Sequence, residues 1–167
     1  MNRRQLLTTL LGAGALGALA VPLRAVSEAN GTTDFGREDW KRILPPERFH
    51  ILFEAGTERA GSSPLNAEKR DGLYLCAACH QPLFDARTKY DSGTGWPSFW
   101  DPLNGAVGRS TDYKLLYPRT EYHCSRCGGH QGHVFKDGPR PTGLRYCNNG
   151  LALIFVPEGE ALPALRG

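Results

Sequence analysis

Almost no net charge survives once the first 25 residues are set aside. The chain has Lys+Arg 20 against Asp+Glu 17, and removing Arg3, Arg4 and Arg24, with no acid among those residues, leaves 17 of each sign. That balance excludes the basic footprint of a nucleic-acid binder and the polybasic face of a protein held on an anionic membrane. Methionine is missing after Met1. There is no internal repeat beyond a doubled cysteine motif, and no low-complexity tract beyond the N-terminal segment. Cysteine is scarce too, and its five positions divide four and one.

Cys76-Ala-Ala-Cys79 and Cys124-Ser-Arg-Cys127 are matched CxxC pairs with 44 residues between them. Each pair closes a tight turn that aims two thiolates at one point about 2.3 Å away, which suits a single tetrahedral four-thiolate site. Softness and geometry make zinc the expected ion, one per chain. Two disulfides, or one redox-active CxxC, are the alternatives, and an exported protein gives them weight. Cys147 stands apart in Arg145-Tyr146-Cys147-Asn148-Asn149.

The first 25 residues run Met1-Asn2-Arg3-Arg4-Gln5-Leu6-Leu7 and then an apolar Gly/Ala/Leu stretch from Thr8 to Leu23. Adjacent arginines before a weakly apolar core resemble a twin-arginine export signal, with a cut after Ala20 or Ala25. A transmembrane anchor is the alternative, disfavoured because the run is Gly-rich and interrupted by Pro22. The twin-arginine route carries folded proteins, so a metal loaded before export is compatible with an oxidising destination. The expected location is periplasmic, or otherwise outside the cytoplasm.

One domain of about 140 residues remains, large enough to bury a core. Residues 26–45 read as a linker and N-terminal segment in which Asp34 to Leu44 forms a short helix. Residues 46–160 form the main domain, and 161–167 a C-terminal tail. Pro45-Pro46-Glu47, with Phe49, Leu52 and Phe53 at helical spacing and Gly56 as a stop, predicts a helix near 46–55. Short runs follow at Leu73–Cys76, Pro82–Asp85, Tyr113–Leu116, Glu121–Cys124, Gly132–Phe135, Leu144–Cys147 and Leu151–Val156, punctuated by Gly, Pro and Asp. They predict a mainly β fold of antiparallel sheets, with short N-terminal helices and a zinc site built from two CxxC knuckles.

Lys89-Tyr90-Asp91-Ser92-Gly93-Thr94-Gly95-Trp96-Pro97-Ser98-Phe99, then Gly129-His130-Gln131-Gly132-His133-Val134-Phe135, then Gly143-Leu144-Arg145-Tyr146-Cys147-Asn148-Asn149 resemble the signature blocks of the B-type peptide-methionine sulfoxide reductases. Order and spacing match from about Gly56 to Phe155, and the CxxC pairs sit where many members of that family hold zinc. The resemblance implies reduction of methionine (R)-sulfoxide, in peptides or proteins, back to methionine. Chemically this needs a nucleophilic thiolate, a proton donor and an apolar wall for the S-methyl group.

Cys147 is the candidate nucleophile if the other four cysteines hold metal; a buried inert cysteine is the alternative reading. In an extended segment Arg145, Cys147 and Asn149 share a face, while Tyr146 and Asn148 point oppositely. Arg145 is placed to depress the thiol pKa, unless it only makes a surface ion pair, and Asn149 to orient a histidine or the sulfoxide oxygen. His130 and His133 are the expected proton donors or orienters. Three residues apart on a regular strand they would face opposite sides, so Gly128, Gly129 or Gly132 must permit a bulge or bend. A His-x-x-His metal site is the competing reading. Trp96 would supply the apolar wall, helped by Phe135, with an ordinary core tryptophan as its alternative.

Some family members carry a resolving cysteine in Ser-Gly-Cys-Gly-Trp, where this chain has Thr94. The Cys147 sulfenic acid therefore needs an external thiol, expected to be a thioredoxin-like protein, acting through a mixed disulfide. Asn148 and Gly150 replace the usual aliphatic residue and serine. The absence of methionine after Met1 leaves the processed chain without its own substrate. A single-chain enzyme, off the membrane once its signal is removed, is the expectation. Two rivals remain at this point. A secreted zinc-ribbon binding module would leave Cys147 incidental, and a CxxC dithiol oxidoreductase would hold no metal.

Overall fold

The helical start is present. In the computed structural model, which describes residues 32–113 and 117–167, α1 spans Arg37–Ile43 and α2 spans Pro46–Glu54. The segment read as an export signal lies outside the described residues. α1 carries Glu38 and Asp39 in its first turn and Lys41 and Arg42 in its last, complementing the helix dipole. Pro46 opens α2, where its missing N–H would be unpaired in any case. The helix stops because Ala55 turns left-handed, at φ 49°, before Gly56. Phe49, Ile51 and Leu52 face inward, and Trp40 packs on the Phe35 and Phe53 rings, with centroids 5.1 and 5.7 Å away.

Nine strands follow among the described residues: β1 (Gly72–Cys76), β2 (Pro82–Asp85), β3 (Lys89–Tyr90), β4 (Ser98–Phe99), β5 (Val107–Asp112), β6 (Arg119–Cys124), β7 (His130–Phe135), β8 (Arg145–Asn148) and β9 (Leu153–Pro157). They form two antiparallel sheets, one in the order β2-β1-β9 and the other in the order β3-β4-β8-β7-β6-β5. This is the expected mainly β architecture. An aromatic cluster fills the core. Phe84 stacks on Phe99 at 4.2 Å, Tyr74 meets Phe99 edge-on at 4.9 Å, and Tyr122 meets Tyr146 edge-on at 5.2 Å. Such offset and edge contacts each add about 1 kcal/mol beyond area burial. α2 lies against β7 and a 3-10 turn at Gly150–Ala152. Residues 161–167 also pack on the body: Ala164 O meets His80 Nδ1 at 2.8 Å, and Arg166 N donates to Cys79 O at 3.1 Å.

Most of the strand expected at Tyr113–Leu116 lies outside the described residues. The strand before it is β5, which ends at Asp112, and Tyr113 is 77 % exposed. β5 is an edge strand of Val-Gly-Arg-Ser-Thr-Asp, held by main-chain pairing to β6. It buries little, so its sequence shows no alternation to read. β3 and β4 have two residues each and exist through pairing with their neighbours.

Gly132 seats β7 against β8. A Cβ there would lie 1.9 Å from the Cys147 carbonyl oxygen, with backbone that has no free end to swing away. Gly132→Ala is expected to cost about 2 kcal/mol and to lower the melting temperature by roughly 5 °C. Thermal and urea unfolding of the variant would check this.

Candidate active site and metal centre

The two knuckles are built alike. Cys76 ends β1 and Cys124 ends β6; His80 N donates to Cys76 O and Gly128 N to Cys124 O, both at 2.9 Å. Each turn closes with a left-handed residue straight after its second cysteine, His80 at φ 64° and Gly128 at φ 71°. Folding brings all four Sγ atoms within 4.8 Å of one another. Cys76 and Cys127 Sγ lie 3.6 Å apart, and Cys79 and Cys124 Sγ 3.5 Å apart. A tetrahedron with 2.3 Å zinc–sulfur bonds has edges of about 3.8 Å, whereas a disulfide needs about 2.05 Å. The donor set therefore fits a structural zinc ion, and the disulfide alternative does not fit. Both CxxC pairs converge on one point, leaving neither as a separate working dithiol.

Cys147 lies on β8, directly opposite His133 on β7 and Ser98 on β4. His133 is in turn opposite Glu121 on β6. Directly opposed residues share a sheet face, so Glu121, His133 and Cys147 form one row. Their neighbours Tyr146 and Asn148 point the other way and are fully buried, Tyr146 in the aromatic cluster and Asn148 accepting from the Tyr122 hydroxyl at 2.6 Å. This is the alternation expected of the segment.

The two histidines are brought together by a bulge. His123 pairs with His130 but Tyr122 pairs with Gly132, so Gln131 is an extra residue on β7. The inserted residue restores His130 to the face of His133, and their rings stand edge-to-face with centroids 5.5 Å apart. Each ring meets a carboxylate. Glu121 Oε1 is 2.8 Å from His130 Nδ1, and Asp112 Oδ2 is 2.8 Å from His133 Nε2. Arg119 holds Asp112 at 2.6 Å. Burial pushes the Glu121 carboxyl up, but the Ser110 hydroxyl and His130 outweigh it and keep it below its ordinary value. An ionised Glu121 fixes the orientation of the His130 ring.

Arg145 serves two neighbours. It pairs with both Asp137 oxygens, at 2.8 and 2.7 Å, and its guanidinium lies 4.3 Å from the Phe135 ring centroid. Burial raises the Cys147 thiol above its usual range, while the Arg145 charge and hydrogen bonds from Thr94 and Arg145 pull it back in part. Thr94 also contacts Ser92, and Ser92 contacts Ser98, each at 2.8 Å.

Asn149 accepts from Glu58 N at 3.1 Å and donates to Gln131 O at 3.1 Å, leaving one amide hydrogen for another partner. Glu58 is a residue that sequence reasoning missed. Its carboxylate accepts from Gly150 N and Leu151 N, at 2.6 and 3.0 Å, and its carbonyl accepts from Trp96 Nε1 at 3.1 Å. One buried acid thus ties Trp96 to the turn that follows Cys147. Glu121, Asp112 and Gln131 were missed as well. Each acts through cross-strand register or a bulge, and neither leaves a mark in a linear motif. The unusual Gly150 also has a local reason: a Cβ there would lie 1.9 Å from Ser63 Oγ.

The SelR domain family matches residues 44–157. A peptide methionine sulfoxide reductase MsrB from Methanosarcina mazei is 49% identical over 133 residues, covering 79% of this chain and 95% of the relative. Another from Agrobacterium fabrum is 52% identical over 120 residues, covering 71% and 89%. A third, from Leptospira interrogans, is 52% identical over 122 residues, covering 72% and 93%.

Two measurements follow from this geometry. Cys124→Ala is expected to lower bound zinc at least about tenfold relative to the one ion per chain of the parent, read by elemental analysis. Alkylation of Cys147 by iodoacetamide is expected to be slow at neutral pH and to rise about tenfold per pH unit up to a value above the ordinary thiol range. Arg145→Met should move that profile further up, because the opposing cation is gone.

Proposed function

The chain belongs to the SelR domain family, that of the B-type peptide methionine sulfoxide reductases, and from that premise we propose that it reduces methionine (R)-sulfoxide in peptides or proteins to methionine. The observation that carries the reading is the cross-strand row in which Cys147 faces His133 and Glu121, while every other cysteine is gathered in the metal cluster.

The Cys147 thiolate attacks the sulfoxide sulfur as the sulfoxide oxygen takes a proton. The S–O bond breaks, the hydroxyl passes to the Cys147 sulfur, and methionine leaves as the reduced thioether. His130 and His133 supply and steer the proton, each held by a carboxylate. A resting thiol kept protonated by burial implies that its proton leaves as substrate binds, toward a histidine of the same face. Trp96 and Phe135 form the apolar wall for the S-methyl group, Arg145 supports the thiolate, and Asn149 shapes the turn and has one N–H for the substrate. Zinc at Cys76, Cys79, Cys124 and Cys127 is structural and takes no part in the reaction.

With Thr94 where a resolving cysteine would stand, the sulfenic acid condenses with an external thiol. Water is released and a mixed disulfide forms, and a second thiol of the reductant then frees Cys147. We take that reductant to be thioredoxin-like and the enzyme to work outside the cytoplasm, supported by the paired arginines and apolar run before Ala25. Each chain holds a full set of these groups, which supports a monomeric enzyme.

In a single turnover without added thiol, the R epimer of a sulfoxide peptide should yield one methionine per protein and the S epimer none, with sulfenic acid trapped on Cys147. Cys147→Ser should abolish this with the fold intact, and His133→Gln should slow it about a hundredfold. Full activity in the serine variant would overturn the mechanism.

A further inference from the structure

Gln131 is the extra residue of the β7 bulge, and it is completely buried. Its side chain and main chain reach in different directions. Nε2 donates to Cys76 Sγ at 3.5 Å, an ordinary length for a bond to sulfur, and to Gly129 O at 3.4 Å. Oε1 lies 3.5 Å from Asn148 Nδ2. The main-chain carbonyl accepts both Asn149 N at 2.9 Å and Asn149 Nδ2 at 3.1 Å. One residue therefore touches a metal ligand on one side and the two residues after Cys147 on the other. It also creates the offset that puts His130 beside His133.

We propose that Gln131 is a positioning residue that couples the four-thiolate site to the catalytic row. Its amide steadies the Cys76 thiolate, and the metal-bound thiolate in return fixes the bulge that aligns His130, His133 and Asn149. Four thiolates on a divalent ion leave two negative charges in a buried place, so an N–H aimed at one sulfur stabilises the filled site. On the β6 side the bulged residue has no ladder partner, so side-chain anchors help to keep its shape. The same contact must then be felt in both directions, because coupling between two sites is reciprocal. The inference rests on the reductase reading only for its turnover measurement.

The test uses Gln131→Met, which keeps length and volume but removes the donor, in the full-length zinc protein. Melting curves confirm that the variant is folded. Release of zinc to a metallochromic chelator should be about tenfold faster than in the parent. Turnover of the R-sulfoxide peptide should fall several-fold in kcat with KM unchanged, and its pH profile should shift. Zinc release at the parental rate would overturn the proposal, and so would faster release with an unaltered kcat and pH profile. A second measurement needs no variant and no turnover. In the cobalt-substituted parent, carboxamidomethylation of Cys147 should shift the thiolate-to-cobalt charge-transfer band. An unmoved band would overturn the coupling even if the enzyme is active, whereas inactivity toward sulfoxide with a shifted band would count against the reductase reading alone.

Discussion

Four thiolates drawn to one ion hold this structure together, because they join its two sheets. Cys76 closes β1 of the three-stranded sheet and Cys124 closes β6 of the six-stranded one, so the metal crosslinks strands that no main-chain ladder connects. Structural zinc contributes about 10–16 kcal/mol in small domains, comparable to or larger than the whole net stability of an ordinary one. The aromatic cluster of Phe84, Phe99, Tyr122 and Tyr146 fills the space between the sheets that this link encloses.

From that joint the chemistry is set by register. β6, β7 and β8 place Glu121, His133 and Cys147 in one row, and a single inserted residue brings His130 to the same face. Burial and charge act against each other at Cys147. Removal from water keeps Cys147 protonated, Arg145 favours the thiolate, and Asp137 limits Arg145 by pairing with it. Burial wins, so the thiol sits above its usual range. A permanent thiolate would be exposed to oxidation without turnover.

Thr94 and Glu58 show how a site is completed from afar. Thr94 joins a hydroxyl chain through Ser92 to Ser98, which lies opposite Cys147 on the neighbouring strand. Glu58 anchors both Trp96 and the Gly150–Ala152 turn, so the indole and the turn after β8 share one support.

What the sequence by itself determined was chemical identity and local form. Two CxxC pairs named the ligands, one remaining cysteine named the candidate nucleophile, and Pro46 and Gly56 bounded α2, since all of these depend on residues near one another in the chain. Alternation around Cys147 correctly set Tyr146 and Asn148 on the face opposite to it, which the structure shows to be the buried one. The tertiary structure alone decided the rest. β5 carries almost no apolar pattern and exists because β6 pairs with it. Glu121 and Asp112 meet the histidines only through cross-strand register, and Glu58 reaches Asn149 across 91 positions. The location of the bulge at Gln131 depended on which residue of β7 lost its partner, a property of two strands together.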